Sequence, residues 1–270
     1  IFSDFDAVYL HLPMSSRRRS RSPRAVQAAQ SPGQSAQVEQ LKQLKLLHIT
    51  KNAGTALEKL GKEMGLKWGK CWTEVKNHSG KLCEPHAGCM KSEWWHVPPC
   101  FFLNDPYKGY VPFAVVRCPY QRAISEFRCC WKGFGAPAKD EGKKTKRKNA
   151  TADDLNTWLR DKLKKLASPY RNGHFIPQHF YIFDAHGQRY VPEENVLRFE
   201  RLNEDLTNLG ARYGIHIPPL PRVNESEMPR FKVEDLDADT RSLIESTFAK
   251  DFDLLGFKRI QQASESMSCS

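Results

Sequence analysis

The sequence predicts an α/β domain: a mainly parallel sheet with helices on both faces. Three runs carry that expectation. The aliphatic stretch Leu44–Ile49 breaks at Thr50-Lys-Asn-Ala-Gly54 and resumes with helical spacing at Leu57 and Leu60, as a buried strand turning into a helix does. Val111–Val116 repeats the pattern, ending in Arg117 and resuming at Pro119, a residue the first helical turn accepts. Val196–Leu202 is a third buried-looking strand, with Asn203-Glu-Asp-Leu opening a helix that Gly210 or Gly214 ends.

Taken in order, residues 1–40 mix Ser, Arg, Pro, Gln and Ala without periodicity and read as a disordered stem. The domain is expected over 41–260. From Gly65 to Pro99 the pattern is irregular and rich in Trp, Cys, Gly and His. Within it, Cys83, His86 and Cys89, with Cys71, could ligate zinc, but the spacing matches no common zinc module and disulfides are the preferred reading. Lys132–Ala150 reads as a mobile Gly/Lys-rich loop. Thr151-Ala-Asp-Asp154 has the form of a helix cap, followed by a core stripe at Leu155, Trp158, Leu159, Leu163 and Leu166. Phe180–Phe183 and Arg189–Val191 are expected to pair as a hairpin around Asp184-Ala-His-Gly187. Asp237–Leu255 is expected to be a last amphipathic helix, and residues 261–270 a polar tail.

The 270 residues suffice for one domain with a sizeable core, and the formal net charge of +11 suits a polyanionic partner or cofactor. Nucleic acid is the usual candidate for such a balance. Much of the excess, however, lies in Arg17–Arg21 and Lys143–Lys148, runs more typical of solvated segments than of base readers. No apolar stretch reaches membrane-spanning length. The first residue is Ile1, so a membrane anchor preceding it is expected to be missing from this sequence. The eight cysteines, with sequons at Asn77, Asn149 and Asn224, lean towards a secretory, oxidising compartment.

The strand-to-helix turns carry the chemistry. A small-residue turn opening a helix presents backbone N–H groups without internal partners, at the positive pole of the helix dipole, and so can cradle phosphate or sulfate. Lys51 adds a cation at the rim and Thr55 a hydroxyl. A nucleotide-hydrolysing loop needs G-x-x-x-x-G-K-[ST]. Here the next Gly-Lys pair is Gly61-Lys62, too far on, and Glu63 stands where a metal-binding hydroxyl belongs. At the second turn Arg117 ends the strand, and Arg122 and Ser125 fall three apart on one helical face, which makes a second anion site.

Together His48-Ile-Thr-Lys-Asn-Ala-Gly-Thr55 and Arg117-Cys-Pro-Tyr-Gln-Arg-Ala-Ile-Ser-Glu-Phe127 resemble the two cofactor motifs of sulfotransferases that use 3′-phosphoadenosine 5′-phosphosulfate (PAPS). Those motifs are H-I-P-K-T-x-G-T and R-[DN]-P-x-x-R-x-x-S-x-[FY]. The departures are Thr50 for proline and Cys118 for Asp/Asn; neither removes a presumed ligand. Val196–Leu206 and Val223–Ser226 also resemble family segments, a scaffold element and a loop beside the nucleotide.

The resemblance implies a P-loop-like three-layer α/β/α fold of the carbohydrate, Golgi-lumenal type, with a cytoplasmic protein as the alternative. It implies PAPS held by Lys51, Asn52, Ala53, Gly54, Thr55 and Ala56 at its 5′ end, and by Arg117 and Ser125 at its 3′-phosphate. Lys51 is also catalytic, and His96, between the motifs, is the expected base, with His86, Glu93 and Glu58 in reserve. His174-Phe-Ile-Pro-Gln178 resembles a family H-x-x-P-Q segment near the acceptor, which implies that His174 and Gln178 lie there; the alternative is a plain loop-to-strand junction. The acceptor is expected to be a hydroxyl on a glycan, with an amine as the alternative; the excess positive charge would suit an acidic glycan, and the scheme requires no metal. The rivals are a basic nucleic-acid-binding protein, which leaves the paired anion motifs unexplained, and an inactive relative that binds nucleotide or glycan.

Overall fold

The computed structural model describes residues 43–72, 93–137, 139–166, 173–220 and 228–260. The expected stem, the tail, Cys83, His86 and Cys89, and the Val223–Ser226 loop lie outside those residues. Three strands, β1 (Leu44–Leu47), β2 (Val111–Val116) and β3 (Val196–Arg198), form a parallel sheet in the order β1-β2-β3. Leu44 lies opposite Val111 and Ala114 opposite Val196. The helices are α1 (Gly54–Glu63), α2 (Pro119–Phe127), α3 (Glu141–Lys148), α4 (Ala152–Lys164), α5 (His179–Ile182), α6 (Leu202–Arg212), α7 (Ala238–Thr247) and α8 (Ala249–Leu255). The fold is thus α/β with a parallel open sheet, as expected.

Both faces of β2 are covered, which is why its sequence is continuously apolar rather than alternating. Phe113 and Val115 pack with Leu57 and Leu60 of α1 and Leu206 and Leu209 of α6. Ala114 and Val116 point the other way, against Tyr181, Ile182 and Val191. A further cluster joins α2, α4, α7 and α8 through Phe127, Leu155, Leu159, Ile244 and Phe252. Each such fully buried side chain contributes about 1.5–3 kcal/mol. Because β1 and β2 are adjacent and parallel, the turns that follow them emerge at the same edge of the sheet.

The capping box at Thr151 forms as expected: Asp154 N–H donates to Thr151 Oγ1 at 3.2 Å and Thr151 N–H to Asp154 Oδ2 at 3.0 Å. Other expectations are corrected. Phe180–Phe183 is not a strand, since His179–Ile182 is helical and only the bridge Phe183–Arg189 remains of the hairpin. The cause is a distant carboxylate. Asp251 accepts the N–H groups of Gln178 and His179 at 2.8 and 2.9 Å, capping a turn that buries Tyr181 and Ile182 together. The Lys-rich run is not a loop either. Lys143–Lys148 belongs to α3, capped by Asp140 accepting Lys143 N–H at 2.8 Å. Arg147, 7% exposed, donates to the carbonyls of Cys129 at 3.2 Å, Arg128 at 3.1 Å, and Phe134. The final helix is two, broken at Phe248, with Asp237 capping the first through Thr240 N–H at 2.8 Å. Of the third strand only Val196–Arg198 is extended, and α6 opens at Leu202. Cys71 carries a free thiol rather than a disulfide. No helix among the described residues is long and apolar enough to cross a membrane.

Candidate active site

The turn between β1 and α1 is held in a conformation the chain would not adopt unaided. Lys51 and Ala53 both have positive φ, 65° and 64°, which for residues with a Cβ costs on the order of 1 kcal/mol or more each. Side chains from three other segments fix it. Asn52 Nδ2 donates to Val115 O at 2.8 Å and to Gln178 Oε1 at 2.7 Å. Arg117 Nη1 donates to Lys51 O at 3.1 Å. Thr50 Oγ1 donates to the carbonyls of Gly173 and His174 at 3.2 and 3.1 Å, while buried Arg122 donates to Thr50 O. The hydroxyl that replaces the family proline is therefore used, as a tie to the 173–178 segment. Among the described residues, the N–H groups of Ala53, Gly54 and Thr55 have no hydrogen-bonded acceptor. Gly54 is required here, since a Cβ on it would lie 2.1 Å from His48 Nε2. Ala56, two residues further on, is buried in the first turn of α1.

Arg117 follows the end of β2. Its guanidinium stacks on the Phe199 ring at 3.9 Å, and its Nε is buried without a partner. Burial pulls its pKa down to about 10, against the opposing pull of Glu200, so it stays charged at neutral pH. Ser125 lies on α2, half-buried. Cys118, at the N-cap of α2, makes no side-chain cap; its N–H goes to Glu200 Oε1 at 3.2 Å.

Gln178 joins the two turns. Fully buried, it accepts from Asn52 Nδ2 and from Arg117 N–H at 2.9 Å through Oε1, and donates from Nε2 to Arg117 O at 2.9 Å. This residue, expected near the acceptor, is thus a clamp between the anion turns. Arg122 is likewise an internal tie rather than a free cation: its Nη2 donates to Thr50 Oγ1 and His174 O, both at 3.1 Å.

Three imidazoles meet at His96. His96, on the 3-10 turn Trp94–His96, lies edge-on to His48 at 4.6 Å and to His174 at 5.8 Å between ring centroids. Burial, with the positive fields of His48, His174 and Lys132, pulls His96 down to about 2, so it is neutral across physiological pH. His48 and His174 are each backed by a buried carboxylate. His48 Nδ1 is 2.7 Å from Glu58 Oε1, and His174 Nδ1 is 2.8 Å from Glu126 Oε2. Glu58 also accepts Lys70 N–H at 2.9 Å, so this reserve base is committed to His48. Glu93 is exposed at the start of the His96 turn, and His86 lies outside the described residues. The carboxylate partners Glu58 and Glu126, and Cys129 beside His174, were not singled out as a group from the sequence. Only the three-residue spacing of Glu126 and Cys129 hinted at a shared helical face.

Fold and site together define an α/β protein with two strand-to-helix turns side by side at the carboxyl ends of adjacent parallel strands, where open α/β sheets hold ligands. Residues 43–258 match the sulfotransferase family, described as such, and the chain belongs to it, in its family-2-like branch. Neither a curated protein nor a solved structure matches. The matched span contains both turns, the imidazole cluster and the Gln178 clamp, and it makes the chain a sulfuryl transferase by class.

Proposed function

We propose that this enzyme transfers a sulfuryl group from PAPS to a hydroxyl of a glycan in the Golgi lumen. One observation carries the donor assignment. Two anion turns are locked to each other through Gln178, one with unpartnered N–H groups at Ala53–Thr55 and the other with a buried, unpartnered Arg117 Nε. A nucleotide bearing phosphosulfate at one end and a second phosphate on its ribose needs such a pair.

PAPS supplies the activated sulfuryl group, with adenosine 3′,5′-bisphosphate as the leaving group. Lys51 and the N–H groups of Ala53, Gly54 and Thr55 stabilise charge developing on the leaving 5′-phosphate. Asn52 and Ala56 shape the same turn. Arg117 and Ser125 hold the 3′-phosphate and so distinguish the donor from ordinary adenine nucleotides. Neutral His96 takes the proton of the acceptor hydroxyl as it attacks. A bound polyanion beside it favours the protonated imidazole, which raises its basicity in the loaded enzyme. His174 orients the acceptor at the same cluster, and Gln178 acts through the two turns it clamps. The chemistry is mostly positioning and charge stabilisation, as in phosphoryl transfer, and the net charge of +11 favours acidic acceptors.

The test is calorimetry with adenosine 3′,5′-bisphosphate against the 5′-monophosphate. The bisphosphate is expected to bind more tightly, and Arg117→Ala to weaken it at least tenfold, as loss of a charge-assisted contact of about 1.5–3 kcal/mol requires. Equal affinities for the two nucleotides would sink the assignment. Transfer from labelled PAPS to a panel of glycans and tyrosine peptides then identifies the acceptor.

A further inference from the structure

Next to His174 lie two groups that the transfer scheme does not use, Glu126 and Cys129. Glu126, in the last turn of α2, and Cys129, just past it, are fixed to each other by the turn bond from Cys129 N–H to Glu126 O at 3.0 Å. His174 reaches them from the segment leading into α5. One donor atom from each of the three lies within 4.8 Å of the others. Glu126 is 2% and Cys129 4% exposed, and the His174 side chain 12%. Glu126 Oε1 is buried and has no hydrogen-bond partner.

We propose that Glu126, Cys129 and His174 form a binding site for a zinc-class divalent metal ion. The ion ties the C-terminal end of α2 to the segment that carries Gln178. The donor set selects the metal. Thiolate with imidazole suits zinc and its neighbours, whereas magnesium and calcium take oxygen alone. With Zn–N and Zn–O of about 2.0 Å and Zn–S of about 2.3 Å, tetrahedral donors stand roughly 3.3–3.5 Å apart. The observed cluster spans that separation, and the 2.8 Å contact between His174 Nδ1 and Glu126 Oε2 needs to open by about half an ångström to admit the ion.

The charge balance also closes. A carboxylate and a thiolate neutralise a divalent cation, and the ion compensates a buried carboxylate oxygen that is costly to leave bare. The scaffold is rigid where a ligand set needs it: the His174 carbonyl is held by Thr50 and by Arg122, both at 3.1 Å. A fourth position remains for solvent. The role is structural.

Cobalt(II) titration of the chelator-stripped full-length chain tests this. One equivalent is expected to bind with the visible bands of a tetrahedral ion and a thiolate-to-metal charge-transfer band, and to be displaced by zinc. Cys129→Ser should abolish the charge-transfer band and weaken zinc binding at least tenfold. Glu126→Gln should weaken it comparably while keeping that band. His174→Gln gives an independent reading should Cys129→Ser compromise folding, which near-ultraviolet circular dichroism reports. Cys83→Ser/Cys89→Ser serves as the control for the other cysteine-rich segment and should leave the spectrum unchanged. Failure to bind cobalt stoichiometrically would overturn the proposal and leave Glu126–His174–Cys129 as a proton-sharing network. So would a spectrum that survives Cys129→Ser and vanishes in the Cys83/Cys89 variant.

Discussion

Replacing Gln178 by leucine keeps the volume of the side chain nearly unchanged but strips its amide. The structure shows what is then stranded. Arg117 N–H and Arg117 C=O each lose their side-chain partner, at 2.9 Å in both cases. Asn52 Nδ2 keeps its bond to Val115 O, and Asp251 Oδ2 keeps the Gln178 main-chain N–H. Two backbone groups without partners cost about 1–2 kcal/mol each in a partly buried setting. Gln178→Leu is therefore expected to destabilise the fold by about 2–4 kcal/mol. Because both anion turns hang on this amide, affinity for adenosine 3′,5′-bisphosphate should also fall roughly tenfold, about 1.4 kcal/mol. Urea unfolding gives the first quantity and calorimetry on the folded protein the second. Gln188→Leu, at an exposed position in the 184–187 turn region, is the control and should stay within about 0.5 kcal/mol of wild type. A Gln178→Leu protein that loses under about 1 kcal/mol and binds the bisphosphate normally would refute the clamp.

The base can be read from pH. A histidine held at about 2 by burial and by two neighbouring imidazoles stays neutral as pH falls, so the kcat/KM profile should show no acid limb at the ordinary histidine value of about 6.5 assignable to His96. Once the polyanionic donor is bound the limb should move upward in the kcat profile, and His96→Ala should lower single-turnover transfer by about 10²–10⁴; wild-type turnover in that variant would place the base elsewhere. Gly54→Ala drives a Cβ to 2.1 Å from His48 Nε2, so donor affinity should drop well before the sheet unfolds, as calorimetry beside circular dichroism would record. Arg147→Ala leaves the carbonyls of Arg128, Cys129 and Phe134 without their donor and should cost about 2–3 kcal/mol in denaturant unfolding, whereas Lys144→Ala, on the exposed side of the same helix, should cost next to nothing.

The two strand-to-helix turns were legible because their sequence signal is local. Small residues after an aliphatic run, a lysine, and an arginine before a proline are neighbours in sequence as well as in space. The capping box at Thr151 was readable for the same reason, and the parallel sheet followed from strands that each run on into a helix. The pairing of imidazoles with carboxylates was not. Glu126 and His174 are 48 positions apart, and a glutamate on a helix looks solvated until the helix is docked. The helix at His179–Ile182 was misread because Phe, Tyr and Ile favour strands, while the carboxylate that caps it lies 72 residues downstream. Lys143–Lys148 read as loose because its charge hides one arginine that is spent on the interior. Gln178 belonged to a recognisable segment, yet its task became visible only with Asn52, Arg117 and Asp251 all in place.

The carboxylate of Asp251 has a bearing on how the enzyme is made. It accepts the N–H of Gln178 from 73 residues away, on the last helix of the described chain. A ribosome therefore releases both anion turns, the imidazoles and the clamp itself long before it releases the group that sets the clamp. Contacts of such span form late, after shorter loops have closed. Until α8 docks, the backbone N–H groups of Gln178 and His179 lack the carboxylate that holds them. A chain that ends before Asp251 is therefore expected to keep β1 paired with β2 while holding the backbone of Gln178 and His179 loosely, which limited proteolysis at that segment would report.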